Sequence, residues 1–162
     1  MDQENLNLTV SCSPHVHAPD GTRDIMLDVL IGLIPAMVGA IFTFGLRSLC
    51  VAAVSVAACI VFEFLYRKLL KKDTTIGDCS AIVTGLLLAM VCPVTIPYWT
   101  IIIGDFFAIV VVKQLFGGIG CNFLNPALAG RAFLFSYPVI MTTWVAPYTS
   151  LNLLGSNVDA VT

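Results

Sequence analysis

The sequence has 162 residues, of which 58% are apolar and only 11% are charged, and its mean hydropathy is +0.94. Ordinary soluble domains have roughly 45–50% apolar and about 25% charged residues, so this composition excludes an ordinary water-soluble fold and indicates a lipid bilayer as the solvent. The net charge of −2 argues against nucleic acid as a partner, since such a surface needs clustered Lys and Arg.

A polar head, residues 1–24, precedes the first long apolar stretch. That stretch is longer than a signal-peptide core and shows no small-residue cleavage site, so we predict a retained membrane span over residues 25–44. A second span is predicted over residues 46–66, and a basic cluster follows it at once. Each has about 20 residues, which at 1.5 Å per residue crosses a ~30 Å hydrocarbon core.

Three further membrane segments are predicted over residues 79–91, 96–112 and 123–144, and they are short or interrupted by proline. Irregular backbone at membrane depth must be surrounded by protein or line a cavity. We therefore expect an all-α polytopic membrane helix bundle with about five membrane segments, including short or broken helices, that forms one of two inverted repeats. The membrane domain is predicted to comprise residues 25–144.

The basic residues predict the orientation of these segments. Arg47 is assigned to a loop at one end, whereas all the other basic residues outside the fifth segment lie at the opposite end. Cytoplasmic loops are enriched in Lys and Arg, so the head is expected in the cytoplasm of a bacterium, the protein in its inner membrane, and the polar tail, residues 145–162, on the outer face. The residues counted as cytoplasmic are Arg23, Arg67, Lys68, Lys71, Lys72 and Lys113.

A loop rich in glycine and asparagine, residues 117–125, opens the fifth segment. Glycines such as Gly118 and Gly120 let the backbone approach a ligand closely, and the amides of Asn122 and Asn125 each present donors and an acceptor. The pattern predicts a binding site. The alternative is a simple helix cap, which explains Asn125 but gives Asn122 no role.

Ionisable residues inside apolar segments are costly and are candidates for function. Two have structural explanations, because Asp28 lies at the positive end of a helix and Glu63 is spaced for an i,i+4 pair with Arg67. Asp105 lies in the middle of the fourth segment with no partner nearby in sequence. We expect it either to pair with Arg131 across helices or to line the path of a translocated ion.

The six cysteines show neither C-x-x-C nor Cys/His spacing, the patterns that hold metals. Most of them lie in apolar runs, where a free cysteine packs as a small hydrophobic residue. We therefore predict no metal site, no iron–sulfur cluster and no disulfide framework within this chain.

Several stretches together resemble the RnfD/NqrB family, in order and over nearly the whole chain. They are residues 13–15, 22–36, 77–90 and 117–131, and the short head favours RnfD over NqrB. The resemblance implies a membrane subunit of the Rnf complex, which passes electrons between ferredoxin and NAD while moving Na⁺ or H⁺. Its partners would be the other membrane and peripheral subunits of the complex, and it would not be catalytic alone.

The resemblance also implies two bound flavins. Residues 159–162 look like the start of the family's flavinylation sequence, Asp-x-x-(Ser/Thr)-Gly-Ala-Thr, whose final Thr carries covalent FMN. Thr162 matches the first hydroxyl residue, so the acceptor is expected to follow it. Related subunits also hold a non-covalent riboflavin, and Asn122 and Asn125 match positions expected to contact it.

A small-solute channel or facilitator is the alternative from a different class. Asn125-Pro126-Ala127 resembles the aquaporin signature, in which two half-helices meet at a pore. Only one copy is present, and the sequence around it differs from that family. Detection of flavin bound to the purified protein would separate the two hypotheses, because a channel requires no flavin.

Overall fold

The structure, a computed structural model, describes residues 21–71 and 76–148, so most of the head and of the tail lies outside it. Within these residues every regular element is helical and no strand occurs, which confirms the all-α bundle. A single 3₁₀ turn, Ile76–Asp78, precedes the third helix. The helices are α1 (Thr22–Phe44), α2 (Leu46–Leu69), α3 (Ser80–Val91), α4 (Tyr98–Phe106, continued by a π-helix over Phe107–Gln114), α5 (Pro126–Leu134) and α6 (Pro138–Met141).

Helices α1 and α2 form an antiparallel pair long enough to cross a membrane. They have 23 and 24 residues and a mean hydropathy of 2.3, and at 1.5 Å per residue each spans roughly 35 Å. Gly45 alone joins them, with a φ of 74° that favours glycine. The two ends of the bundle are named here by residues of this pair, the Gly45 end and the Lys71 end.

The remaining segments are short or broken, as the prolines predict. Helix α3 has 12 residues, which is roughly 18 Å and less than the ~30 Å core. The fifth segment is interrupted, since the nine residues of α5 are followed by a turn and the four residues of α6, each with proline at its start. These bounds confirm the prediction of short or broken helices.

Glycines bring the helices into close contact. A Cβ added to Gly85 of α3 would lie 2.8 Å from the Val56 Cα of α2, and one added to Gly104 of α4 would lie 2.7 Å from the Leu134 side chain of α5. Small residues at helix contacts are typical of membrane proteins, where close packing drives association. Helix α2 is thereby held against α3, and α4 against α5.

Arg47 forms hydrogen bonds with the backbone of the segment that joins α3 and α4. It is 2% exposed, and it donates hydrogen bonds from Nε to the Val94 carbonyl oxygen at 2.9 Å and from Nη2 to that of Thr95 at 3.2 Å. The sequence prediction that Arg47 lies in a loop is therefore wrong. Backbone carbonyls freed by a helix break at membrane depth need internal donors, and this arginine supplies them from the first turn of α2.

Candidate functional site

A cavity of about 400 Å³ opens between the glycine-rich loop and the bundle. The loop reaches the Lys71 end of α2, because a Cβ added to Gly118 would lie 3.0 Å from the Arg67 Nη2 atom. Gly118 and Gly120 have φ values of 100° and 85°, which L side chains rarely adopt. They shape the loop, while other residues form the wall of the cavity, namely Met26, Ser80, Val83, Thr84, Leu87, Lys113, Ile119, Asn122, Phe123, Leu124, Asn125 and Pro126.

The two asparagines of the loop both line this cavity but differ in their bonding. Asn125 Oδ1 accepts a hydrogen bond from the Ala127 backbone N–H at 3.0 Å, so Asn125 caps α5 as the alternative interpretation predicts. Asn122 Oδ1 is buried and has no hydrogen-bond partner among the described residues. A buried acceptor without a donor costs about 1–3 kcal/mol, so Asn122 Oδ1 is the candidate contact for a bound group.

A buried ion pair forms the polar side of the site. Lys113 Nζ lies 2.8 Å from Glu63 Oε2 and donates to Ser80 Oγ at 2.6 Å, while Gln114 Nε2 donates to Glu63 Oε1 at 3.1 Å. Lys113 and Glu63 are 2% and 0% exposed. The prediction that the fourth segment ends before Lys113 is therefore wrong, because Lys113 lies in the π-helix and neutralises a carboxylate of α2.

Asp105 faces α2 in the middle of the bundle. Its Oδ1 lies at hydrogen-bond distance from Ser55 Oγ, at 2.7 Å, and from Cys59 Sγ, at 3.3 Å. The predicted pairing with Arg131 is not formed between these two described residues, since the Arg131 guanidinium lies over the Phe135 ring at 5.2 Å. Successive residues of a helix point about 100° apart, so when Gly104 packs against α5, Asp105 turns toward α2.

Ser55 and Cys59 were not predicted from the sequence as partners of Asp105. A signal was present, because the small polar residues Ser48, Ser55 and Cys59 are spaced by seven and four positions on α2, and Glu63 follows at the next turn. Such spacing places them on one helix face. All four are buried, so a polar stripe on an otherwise apolar span marks the side that faces other helices.

The other residues singled out in the sequence lie apart from the cavity or outside the described residues. Asp28 is exposed on α1. Thr162 lies outside the described residues, and so does the sequence that resembles a flavinylation motif. The five described cysteines are free.

Comparison with known proteins identifies the family of this chain. The sequence model of the NQR2, RnfD, RnfE family matches residues 9–162. A subunit of the Na⁺-translocating ferredoxin:NAD⁺ oxidoreductase complex of Acetobacterium woodii is 50% identical over 139 residues, which cover 85% of this chain and 44% of that protein.

Two further relatives carry similar names. A subunit of the proton-translocating ferredoxin:NAD⁺ oxidoreductase complex of Clostridium ljungdahlii is 44% identical over 155 residues, 95% of this chain and 45% of that protein. A subunit of the ion-translocating oxidoreductase complex of Actinobacillus succinogenes is 40% identical over 146 residues, 88% of this chain and 41% of that protein. The chain thus spans less than half the length of these curated relatives, and it belongs to the NQR2, RnfD, RnfE family of membrane proteins.

Proposed function

We propose that this chain acts within the RnfD-type subunit of an ion-translocating ferredoxin:NAD⁺ oxidoreductase complex and that its Asn122 cavity holds a non-covalent flavin. The similar proteins are named as subunits of such complexes, which supports the first part. The single observation that carries the second is the buried, unpartnered Oδ1 of Asn122 on the cavity wall. Other subunits of the complex would be the partners, and this chain alone would not be catalytic.

The cavity has the size and the lining that a flavin ring requires. Its volume of about 400 Å³ lies within the roughly 300–1,000 Å³ of small-molecule sites. Leu87 and Phe123 offer apolar surface for the ring faces. At the ring edge, Asn122 Oδ1 would accept from a ring N–H, and the Asn125 amide nitrogen, which the helix cap does not use, would donate to a ring carbonyl. A bound flavin supplies the one- and two-electron chemistry of the site.

The channel alternative is not favoured. Asn125 acts as the N-cap of α5, which gives Asn125-Pro126-Ala127 a structural explanation without a pore. The relatives of this chain are named as oxidoreductase subunits. A redox role therefore agrees with the names of the relatives, while the Asn125-Pro126-Ala127 sequence needs no channel to explain it.

Removing the amide of Asn122 is expected to deplete the non-covalent flavin. Loss of one buried hydrogen bond costs about 1–3 kcal/mol, which weakens binding by roughly 5- to 150-fold. We expect the same range for Asn125→Ala. The measurement is the fluorescence of flavin released by acid from the purified complex, alongside ferredoxin-dependent NAD⁺ reduction.

Two control variants separate ligand contact from helix capping. Asn125→Ser keeps a capping oxygen but removes the amide nitrogen, so it should lose flavin without unfolding α5. Ser136→Ala lies in the turn between α5 and α6, away from the cavity, and should keep the full flavin content. If Asn122→Ala retains all its releasable flavin, the cavity assignment fails and the loop is only a helix cap.

The covalent FMN stays a prediction, because residues 149–162 lie outside the described residues. One contact supports the expectation that the tail carrying this FMN lies at the opposite end of the bundle from the Asn122 cavity. The Tyr148 backbone N–H donates to the Thr43 carbonyl oxygen at 2.6 Å, so the start of the tail lies at the Gly45 end. The Asn122 cavity adjoins the Lys71 end. Two flavins so placed would provide redox centres on opposite sides of the bilayer for stepwise electron transfer.

The Lys71 end is proposed to face the cytoplasm. Of the basic residues counted for this orientation, Arg23, Arg67, Lys68 and Lys71 lie at that end in the structure, and the positive-inside rule applies to them. In a variant with its native cysteines replaced, Lys71→Cys should resist an impermeant thiol reagent in intact cells, while Ser150→Cys should react. External labelling at position 71 would contradict the orientation.

A further inference from the structure

A closed polar cluster lies in the middle of the bundle, apart from the flavin cavity. It consists of Ser55 and Cys59 on α2 and Asp105 on α4, and all three residues are 0% exposed. Asp105 Oδ1 lies 2.7 Å from Ser55 Oγ and 3.3 Å from Cys59 Sγ. Ser55 Oγ also lies 2.8 Å from the Gly85 carbonyl oxygen of α3. We name this group the Asp105 cluster.

The hydrogens in this cluster can be counted. A serine hydroxyl has one hydrogen to donate, yet Ser55 Oγ has two oxygen atoms at hydrogen-bond distance. The Gly85 carbonyl can only accept. A protonated Asp105 satisfies every contact, because the Cys59 thiol then donates to Asp105, the Asp105 hydroxyl donates to Ser55, and Ser55 donates to Gly85. An ionised Asp105 leaves one of the two short contacts of Ser55 without a hydrogen.

The charge distribution favours the same state. Asp105 Oδ2 is buried without a hydrogen-bond partner, and Asp105 forms no ion pair with any described lysine or arginine, while an uncompensated buried charge costs several kcal/mol. Among the titratable groups of the packed elements, Glu63 on α2 and Lys113 on the π-helix act electrostatically on Cys59, and Arg131 on α5 and Asp105 itself act on Cys92 at the end of α3. Glu63 and Lys113 neutralise each other.

We propose that the Asp105 cluster is a proton-binding site. Uptake of one proton converts the carboxylate to a neutral acid, and release of that proton restores the carboxylate. Sodium fits the cluster less well, because hard cations take several oxygen ligands, whereas here a thiol flanks the carboxyl group. Proton binding follows from this local geometry, and its use in ion translocation rests on the proposed function.

The cluster and the buried ion pair beside the Asn122 cavity lie on the same face of α2. Cys59 and Glu63 are four residues apart and share one face of α2. Glu63 contacts Lys113, which lines the cavity. Four residues correspond to roughly 6 Å at 1.5 Å per residue. A proton that passes from Glu63 to Cys59, which contacts Asp105, would therefore cross about one turn of α2.

Carbodiimide modification of the purified complex tests the proposal. Carbodiimides react with protonated carboxyl groups in apolar surroundings and spare carboxylates. Modification at position 105 is read by mass spectrometry over a pH series, in sodium and potassium buffers of equal ionic strength. We expect it to decline as the pH rises and to be the same in both buffers, and the infrared carbonyl band of a carboxylic acid should disappear in Asp105→Asn.

Two results would overturn the proposal. Protection by sodium at constant pH would assign the cluster to sodium, and an absence of modification at every pH, with no infrared band lost in Asp105→Asn, would show a permanent carboxylate. Asp28→Asn, which removes an exposed carboxyl group of α1, is the matched control and should retain both signals of Asp105.

The use of the site in translocation has its own readout. In vesicles that carry the complex, Asp105→Asn should retain flavin and should lower proton uptake more than electron transfer. Unchanged proton uptake would remove the translocation role and leave the binding result standing. Failure of the flavin assignment would leave the carbodiimide and infrared results untouched, so the two proposals fail separately.

Discussion

Replacing Lys113 with methionine is expected to lower the free energy of unfolding by about 3–5 kcal/mol, the usual cost of breaking a buried ion pair. Lys113 Nζ lies 2.8 Å from Glu63 Oε2 and 2.6 Å from Ser80 Oγ, and the side chains of the ion pair are nearly or fully buried. Methionine fills similar space but takes the cation away from the buried Glu63 carboxylate. Unfolding of the purified protein in mixed micelles, followed by circular dichroism, measures the loss.

The double variant Glu63→Leu/Lys113→Met separates the charge from the packing. Removing both partners of a buried pair is often nearly neutral, so the double variant should recover most of the stability lost in Lys113→Met. Lys68→Met serves as the matched single control. Lys68 is exposed at the Lys71 end of the bundle, so its replacement should change stability little. A double variant as unstable as Lys113→Met would contradict a charge-based explanation.

The membrane segments were predictable because hydropathy and proline act locally. The predicted spans over residues 25–44 and 46–66 correspond to α1 (Thr22–Phe44) and α2 (Leu46–Leu69), and the interrupted fifth segment was predicted from its prolines. Local backbone chemistry and the length of an apolar run determine these features, so a single sequence contains the information needed to place them.

The polar contacts inside the bundle were not predictable in the same way. Lys113 and Glu63 are 50 positions apart in the chain, and whether they meet depends on how α2 and the π-helix are rotated about their axes. Composition does not specify that rotation. The same reason explains why Arg131 looked like a partner for Asp105, whereas Ser55 and Cys59 occupy that place. The glycine and amide pattern predicts the candidate flavin loop, while the unpartnered state of Asn122 depends on how the loop packs against the bundle.

Gly85→Ala should be the most destabilising of the glycine substitutions, with a loss of about 1–3 kcal/mol or more. An added Cβ would lie 2.8 Å from Val56 Cα and 3.0 Å from the Ser55 carbonyl oxygen. These are backbone atoms of α2, so no side-chain rotation relieves the contact and the helices must separate. Separation also stretches the 2.8 Å hydrogen bond from Ser55 Oγ to Gly85.

Two other glycines provide a graded comparison. At Gly104 the added Cβ would meet the Leu134 side chain at 2.7 Å, and since leucine can adopt another rotamer, Gly104→Ala should cost less than Gly85→Ala. At Gly39 an added Cβ would meet no atom within 4 Å apart from the adjoining backbone of α1, so Gly39→Ala should stabilise α1 by up to about 1 kcal/mol through helix propensity. The order is measured by unfolding in mixed micelles, and a Gly85→Ala variant as stable as Gly39→Ala would show that α2 and α3 do not pack with backbones in contact.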